Sequence, residues 1–373
     1  MKKETLELIT DAVGSFDLDY FALNHARFPE EMWWTLGKRR LFGLLIPEEK
    51  GGLGLGVGDF VKSCIEMSER VLTFTYLFIA QNLIALLLYS SYRGSREELL
   101  EDVITGRRRV SMALYERGAG VDAFGIEAVG QERGERYVLR GKKDFVTNAE
   151  LNHYLVTVVR TGERTKKSGG LTAFVVEKGS PGLEIGRVKK MGLDFLTLNN
   201  VELNGVEVEK TETVGEIGNA WRSLIGAFNV DRLALAGMLV GSGRRALWLA
   251  VQHAKERRTF GRVLGSNQAI QFPLARAHVK LDAAEALVFR SLNEGDPGSI
   301  EFGLAAIESL YQSVEASSEA VDVALQTLGG QGYVEGPIEM LYRDVRYYKL
   351  GPISEEMSLS AIAERTLGLP RSF

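Results

Sequence analysis

The sequence predicts an α+β protein in which one β segment separates two helical ones. Three observations predict it. Apolar residues keep helical spacing up to about residue 110. From there to about 212, alternating or β-branched runs are separated by Gly-containing turns. From about 217 the helical period returns. The expected units are 1–110, 111–213 and 214–373.

The first residues, MKKETLELITDAVGSFDLDYF, are amphipathic and acidic with no apolar signal core, so a cytoplasmic protein is expected. IPEEKGGLGLGVGD (46–59) reads as a loop between helices. Its glycines approach a dinucleotide-loop pattern, but no βαβ context surrounds them, so a structural or substrate-entrance loop is expected. VLTFTYLFIAQNLIALLLYS carries Gln81, Asn82 and two threonines, which suits a buried helix pair better than a membrane span. RYVLRGKKDFVTN, HYLVTVVRT, LTAFVVEKG and NNVELNGVEVEK read as strands. In DRLALAGMLVGSGRRALWLAVQHAKER, Gly237 and Gly241 lie four apart and allow another helix to approach closely. Further helices are expected near 268–294, 300–328 and 354–366. Each helical part is long for an independent core, so the two should pack as one body.

With 45% hydrophobic residues the chain can bury a large core. A net charge of −4 gives no basic surface for nucleic acid. The single cysteine, Cys64, excludes a disulfide framework within one chain and reads as an inert helical core thiol. The four histidines are scattered without metal-ligand spacing, which argues against zinc and histidine chemistry.

Seven motifs follow in order: ALYERGAGVD (113–122), DFVTN (144–148), KKMGLDFLT (189–197), DRLALA (231–236), KERRTFGRVLGSNQAI (255–270), LQTLGGQGYVEG (325–336) and LYRDVRYYKLG (341–351). Together they resemble the acyl-CoA dehydrogenase family over nearly the whole chain. The resemblance implies an N-terminal helical domain, a middle β-barrel-like domain and a C-terminal four-helix bundle. It implies FAD and the removal of the α-proton and β-hydride of an acyl-CoA. It also implies a homodimer or homotetramer with each FAD shared between subunits, and an electron-transferring flavoprotein as acceptor.

A pyrophosphate carries two negative charges, which an Arg beside backbone amides answers. By resemblance that is Arg257, with Thr259, Phe260 and Gln268 near it. Gln326, Gly329 and Gly330 resemble the contact to the adenosine half of a partner chain's FAD. Thr147 matches the threonine facing the reactive flavin nitrogen, and Phe145 stands where the family often has Trp. Leu114 and Tyr115 fall at the pyrimidine edge. Ser354 and Glu356 match the family's Thr-Ser-Glu region on the cofactor side. Val121, Asn229 and Arg232 fall on the substrate side. Tyr89 and Tyr92 are candidates for shaping the tail pocket. The chain departs from the family at Tyr115-Glu116-Arg117 and at Val121, where a serine is common.

Pro352 stands where most family members carry the catalytic glutamate, and proline cannot accept a proton. Isovaleryl-CoA and long-chain acyl-CoA dehydrogenases place the base on the first C-terminal helix, before an Arg. Here that position is Asp231, before Arg232. The plainer reading of Asp231 is an acid near a helix start. Glu355 is a minor alternative base. Proline 352 also lacks the N–H that would serve the enolate oxygen. Three readings stay open: dehydrogenation with Asp231 as base, other flavoprotein chemistry such as enoyl reduction or oxygen use, and a non-catalytic subunit.

Overall fold

The computed structural model describes residues 9–12, 14, 27–163 and 169–371. Most of the amphipathic stretch at 1–21 lies outside the described residues. Helices α1 (Glu30–Lys38), α2 (Val57–Ser68), α3 (Leu72–Ser91) and α4 (Leu99–Ile104) precede the first strand.

Helix α3 corrects one expectation: it is a single 20-residue helix, not a pair. No Gly or Pro interrupts it, and its polar residues anchor it instead of breaking it. The Gln81 side-chain amide donates to the carbonyls of Val103 (3.0 Å) and Arg108 (2.7 Å). Asn82 donates to Leu41 and Phe78 and accepts from the Leu44 N–H. Helices α3 and α5 (Ala220–Glu256) are long and apolar enough to cross a membrane, yet both are mostly buried inside the protein.

The strands are β1 (Val110–Ala113), β2 (Val129–Arg133), β3 (Arg136–Thr147), β4 (Tyr154–Arg160), β5 (Leu171–Glu177), β6 (Leu183–Val188), β7 (Leu198–Glu209) and β8 (Thr213–Val214). They form one mixed sheet in the order β6-β7-β3-β2-β4-β5-β8, with β1 parallel to β4. Leu139, Leu155, Phe174, Val201 and Val206 belong to a core of its own.

Helix α5 spans 37 residues, roughly 55 Å at helical rise. It is followed by α6 (Gln268–Ser291), α7 (Ile300–Leu328), α8 (Pro337–Arg346) and α9 (Glu355–Ala361). The two helical parts share one hydrophobic core, which runs from Phe60 and Phe78 through Leu233 and Leu239 to Leu310. Helices α2 and α5 cross closely at the paired glycines. A Cβ on Gly237 would meet the Val61 carbonyl oxygen at 3.1 Å, and one on Gly241 would meet the Ile65 carbonyl oxygen at 2.2 Å. Helix α2 therefore lies against α5 backbone to backbone, which holds the middle of α5 in place.

Candidate active site

Asp231 lies well inside α5, whose N-cap is Asn219, so the reading of a helix start is overturned. The carboxylate is half-buried and accepts no hydrogen bond among the described residues. Burial pushes it up to about 7, and the positive charge of Arg232 pulls it back only in part. A carboxylate drawn partly out of water without donors is costly, which is why such groups concentrate at functional sites.

Three tyrosines feel its charge: Tyr76 from α3, and Tyr347 and Tyr348 from the turn after α8. The Tyr76 hydroxyl lies 3.4 Å from that of Thr147 at the end of β3. The rings of Tyr76 and Tyr348 are 6.4 Å apart and those of Tyr347 and Tyr348 are 5.0 Å apart, both edge-on. A tyrosine cluster thus connects Asp231 to Thr147. Sequence reasoning missed it, since Tyr76 reads as one more aromatic in an apolar helix. The paired Tyr347-Tyr348 beside a departing motif was the one available signal.

Asn229 is fully buried. Its amide donates to the Pro297 carbonyl (2.8 Å), and its oxygen accepts from Arg232. The structure gives it the job of pinning the α6–α7 turn and aiming Arg232. Glu355 pairs with Lys349 at 3.3 Å, and Lys349 also holds Glu315. Tyr92 donates to Glu212 at 2.5 Å, so its hydroxyl serves the seam with the β domain and not a tail pocket. Tyr89 is exposed. Cys64 is fully buried, and burial pushes its thiol up, as an inert core thiol requires.

The loop at 46–59 borders an open cavity of about 590 Å³, lined by Leu55, Gly56, Leu86, Arg222, Gly226 and Val230 among others. Asp231 is not on its wall but lies next to Val230 along α5.

The sequence motifs meet in space. Asn148 and Thr197 exchange two hydrogen bonds of 2.8 Å. Asp344 of the YRD segment accepts from the Leu193 N–H (2.5 Å) and the Thr73 hydroxyl (2.7 Å), joining α8, the 189–197 loop and α3. At the edge of the β domain, the Lys143 ammonium is fully buried, 2.5 Å from Glu116 and 3.2 Å from the Leu114 carbonyl. Glu116 also accepts from the N–H groups of Glu127 and Ala128. The unusual Tyr115-Glu116-Arg117 segment is therefore firmly held.

These residues fit FAD. Tyr115 and Phe145 form an aromatic pair 5.5 Å apart, 37% and 42% exposed, with Arg117 over the Phe145 ring. Such an exposed wall suits a flat ring system. Val121 is exposed beyond it. Arg257 ends α5 with an exposed guanidinium that has no carboxylate partner among the described residues. Phe260, at φ +50°, and Gly261 form the tip of the short hairpin that follows, and Phe260 is fully exposed. A bulky residue in that conformation is uncommon. Thr259, Gln268 and Gln326 border solvent, and nothing lies within 4 Å of a Cβ placed on Gly329 or Gly330. Ser354 caps α9 by accepting from Met357, and Glu356 is exposed beside it.

Three descriptions match in sequence order: acyl-CoA dehydrogenase N-terminal domain (11–107), middle domain (111–206) and C-terminal domain (218–367). The chain is 31% identical over 346 residues to the 3-(aryl)acrylate reductase of Clostridium sporogenes, covering 92% of this chain and 91% of that protein. It is 32% identical over 330 residues to the caffeyl-CoA reductase-Etf complex subunit CarC of Acetobacterium woodii, covering 87% and 86%. The solved glutaryl-coenzyme A dehydrogenase in complex with glutaryl-CoA superposes with a TM-score of 0.92 at 26% identity, covering 100% of this chain and 97% of that one. On the matched domains and the assembled site, the chain belongs to the acyl-CoA dehydrogenase family, FAD-dependent oxidoreductases acting on acyl-CoA thioesters.

Proposed function

We propose that this protein removes the α-proton and β-hydride of an acyl-CoA thioester to give a trans-2-enoyl-CoA, with Asp231 taking the proton. The observation that carries the reading is Asp231 itself: a carboxylate without hydrogen-bond donors among the described residues, raised to about 7, on a helix locked by Gly237 and Gly241. A base near neutrality combines a useful ionised fraction with proton affinity. When bound, FAD supplies the hydride acceptor.

The chain's own residues do the rest. Asn229 holds Arg232 beside the carboxylate, keeping part of Asp231 ionised. Thr147, backed by Tyr76, would meet the cofactor's reactive edge. Leu114, Tyr115 and Phe145 border the ring. Arg257, Thr259, Phe260 and Gln268 meet the pyrophosphate, and Gln326, Gly329 and Gly330 the adenosine half of a neighbour's FAD. Ser354 and Glu356 close the cofactor side. Val121 borders the acyl-CoA. A dimer or tetramer in the cytoplasm, passing electrons to an electron-transferring flavoprotein, completes the reading. The name of the Acetobacterium relative supports that partner.

A second reading, reduction of an enoyl-CoA, is favoured by the names of two relatives above 30% identity, a 3-(aryl)acrylate reductase and a subunit of a caffeyl-CoA reductase complex. A carboxyl at about 7 can donate a proton as well as accept one. Anaerobic titration separates the two. Bleaching of the oxidised flavin by a saturated acyl-CoA supports dehydrogenation. Reoxidation of chemically reduced flavin by aryl-enoyl-CoA, with no bleaching by any saturated thioester, would replace it with reduction.

A further inference from the structure

The turn after α8 lacks two groups at adjacent positions. Residue 352 is proline and has no N–H to offer an oxyanion. Residue 351 is glycine and has no side chain. The side chain of Tyr347 reaches the space beside them. A Cβ on Gly351 would lie 3.4 Å from the Tyr347 hydroxyl oxygen and 3.6 Å from its Cζ. The Tyr348 ring, edge-on at 5.0 Å, braces the Tyr347 ring.

The three phenols of the cluster differ in what their hydroxyls do. That of Tyr76 lies against Thr147. That of Tyr348 is fully enclosed in the core. The Tyr347 hydroxyl is neither enclosed nor bonded to any described residue, although its side chain is half-buried. Burial, followed by the charges of Tyr76 and Asp231, raises the Tyr347 phenol, so it keeps its proton at neutral pH and has an O–H to donate.

We infer that the Tyr347 hydroxyl donates a hydrogen bond to the thioester carbonyl oxygen of the substrate, in place of the backbone amide that Pro352 cannot supply. The inference rests on the acyl-CoA reading above. The phenolic proton stays on Tyr347, and the bond strengthens as negative charge develops on that oxygen during removal of the α-proton by Asp231.

The test uses the FAD-loaded protein and a chromophoric thioester, cinnamoyl-CoA, whose absorption moves to longer wavelength when its carbonyl is polarised. Wild type and Asp231→Asn should both shift the bound chromophore. Tyr347→Phe should lose the shift with flavin content unchanged. Its flavin reduction by a saturated acyl-CoA should fall by about 100- to 1,000-fold, the loss seen when one oxyanion donor is removed. A Tyr347→Phe protein that kept the shift would overturn the assignment. So would one whose KM rose at constant kcat, because Tyr347 would then be only a pocket wall. No shift in the wild type would sink the acyl-CoA reading and this inference together. A retained shift in an inactive Asp231→Asn keeps the two separable.

Discussion

The interior around Asp231 and the exposed rim proposed to face the cofactor are built on opposite principles. In the interior, α2 and α5 touch through their backbones, and the Tyr348 hydroxyl is enclosed without a partner among the described residues. On the rim, Arg257, Phe260, Gln326, Tyr333 and Val334 stand in solvent around open glycines. The half proposed to handle the proton takes its properties from packing within one chain. The rim presents charge and apolar surface that nothing in this chain covers among the described residues. Substitutions in the interior should therefore change chemistry or stability, and those on the rim should change cofactor retention.

The largest effect is expected for Asp231→Asn. Asn keeps the size, so fold and flavin content should persist while flavin reduction falls at least about 100-fold, the low end of general-base catalysis. Stopped-flow bleaching measures it, and an unchanged rate would remove Asp231 from the mechanism. Arg257→Ala should weaken FAD binding by about 1.5–3 kcal/mol, the worth of a charge-assisted contact. Titration of the apoprotein reads this, and unaltered affinity would make Arg257 an ordinary surface residue. Gly241→Ala drives a Cβ into the Ile65 carbonyl, so thermal or urea unfolding should show a loss of about 1–3 kcal/mol.

Below pH 7 the rate of flavin reduction should rise about tenfold per pH unit, then level off, because only ionised Asp231 accepts a proton. A carboxyl raised to about 7 puts the bend there, whereas an ordinary carboxylate would leave the profile flat above pH 5. If the enzyme works as a reductase, the profile should fall through the same pH instead. Glu355→Gln should do least, because Glu355 already pairs with Lys349. Loss of turnover in that variant with full activity in Asp231→Asn would move the base to the loop after Pro352.

Much of the molecule was legible beforehand, for identifiable reasons. Helical and strand periods are local, so the change at 110 and the return near 217 could be read directly. Small residues at i and i+4 mark a close crossing, and Gly237 and Gly241 make one with α2. The polar residues of α3 misled, because Gln81 and Asn82 hydrogen-bond to carbonyls, most of them outside the helix, and such partners leave no periodic mark.

The sequence by itself determined the order of helical, β and helical segments, the family motifs, and the pairing of Asp231 with Arg232 after the usual base position became Pro352. Only the tertiary structure decided that Asp231 lies inside a helix and not at its start, that it meets no donor among the described residues, and that Asn229 aims Arg232. It alone brought Tyr76 into one cluster with Tyr347 and Tyr348, some 270 residues further along the chain. The physical reason is that periodicity depends on neighbours along the chain, whereas a carboxylate's proton affinity depends on how much water and charge the packed elements leave around it.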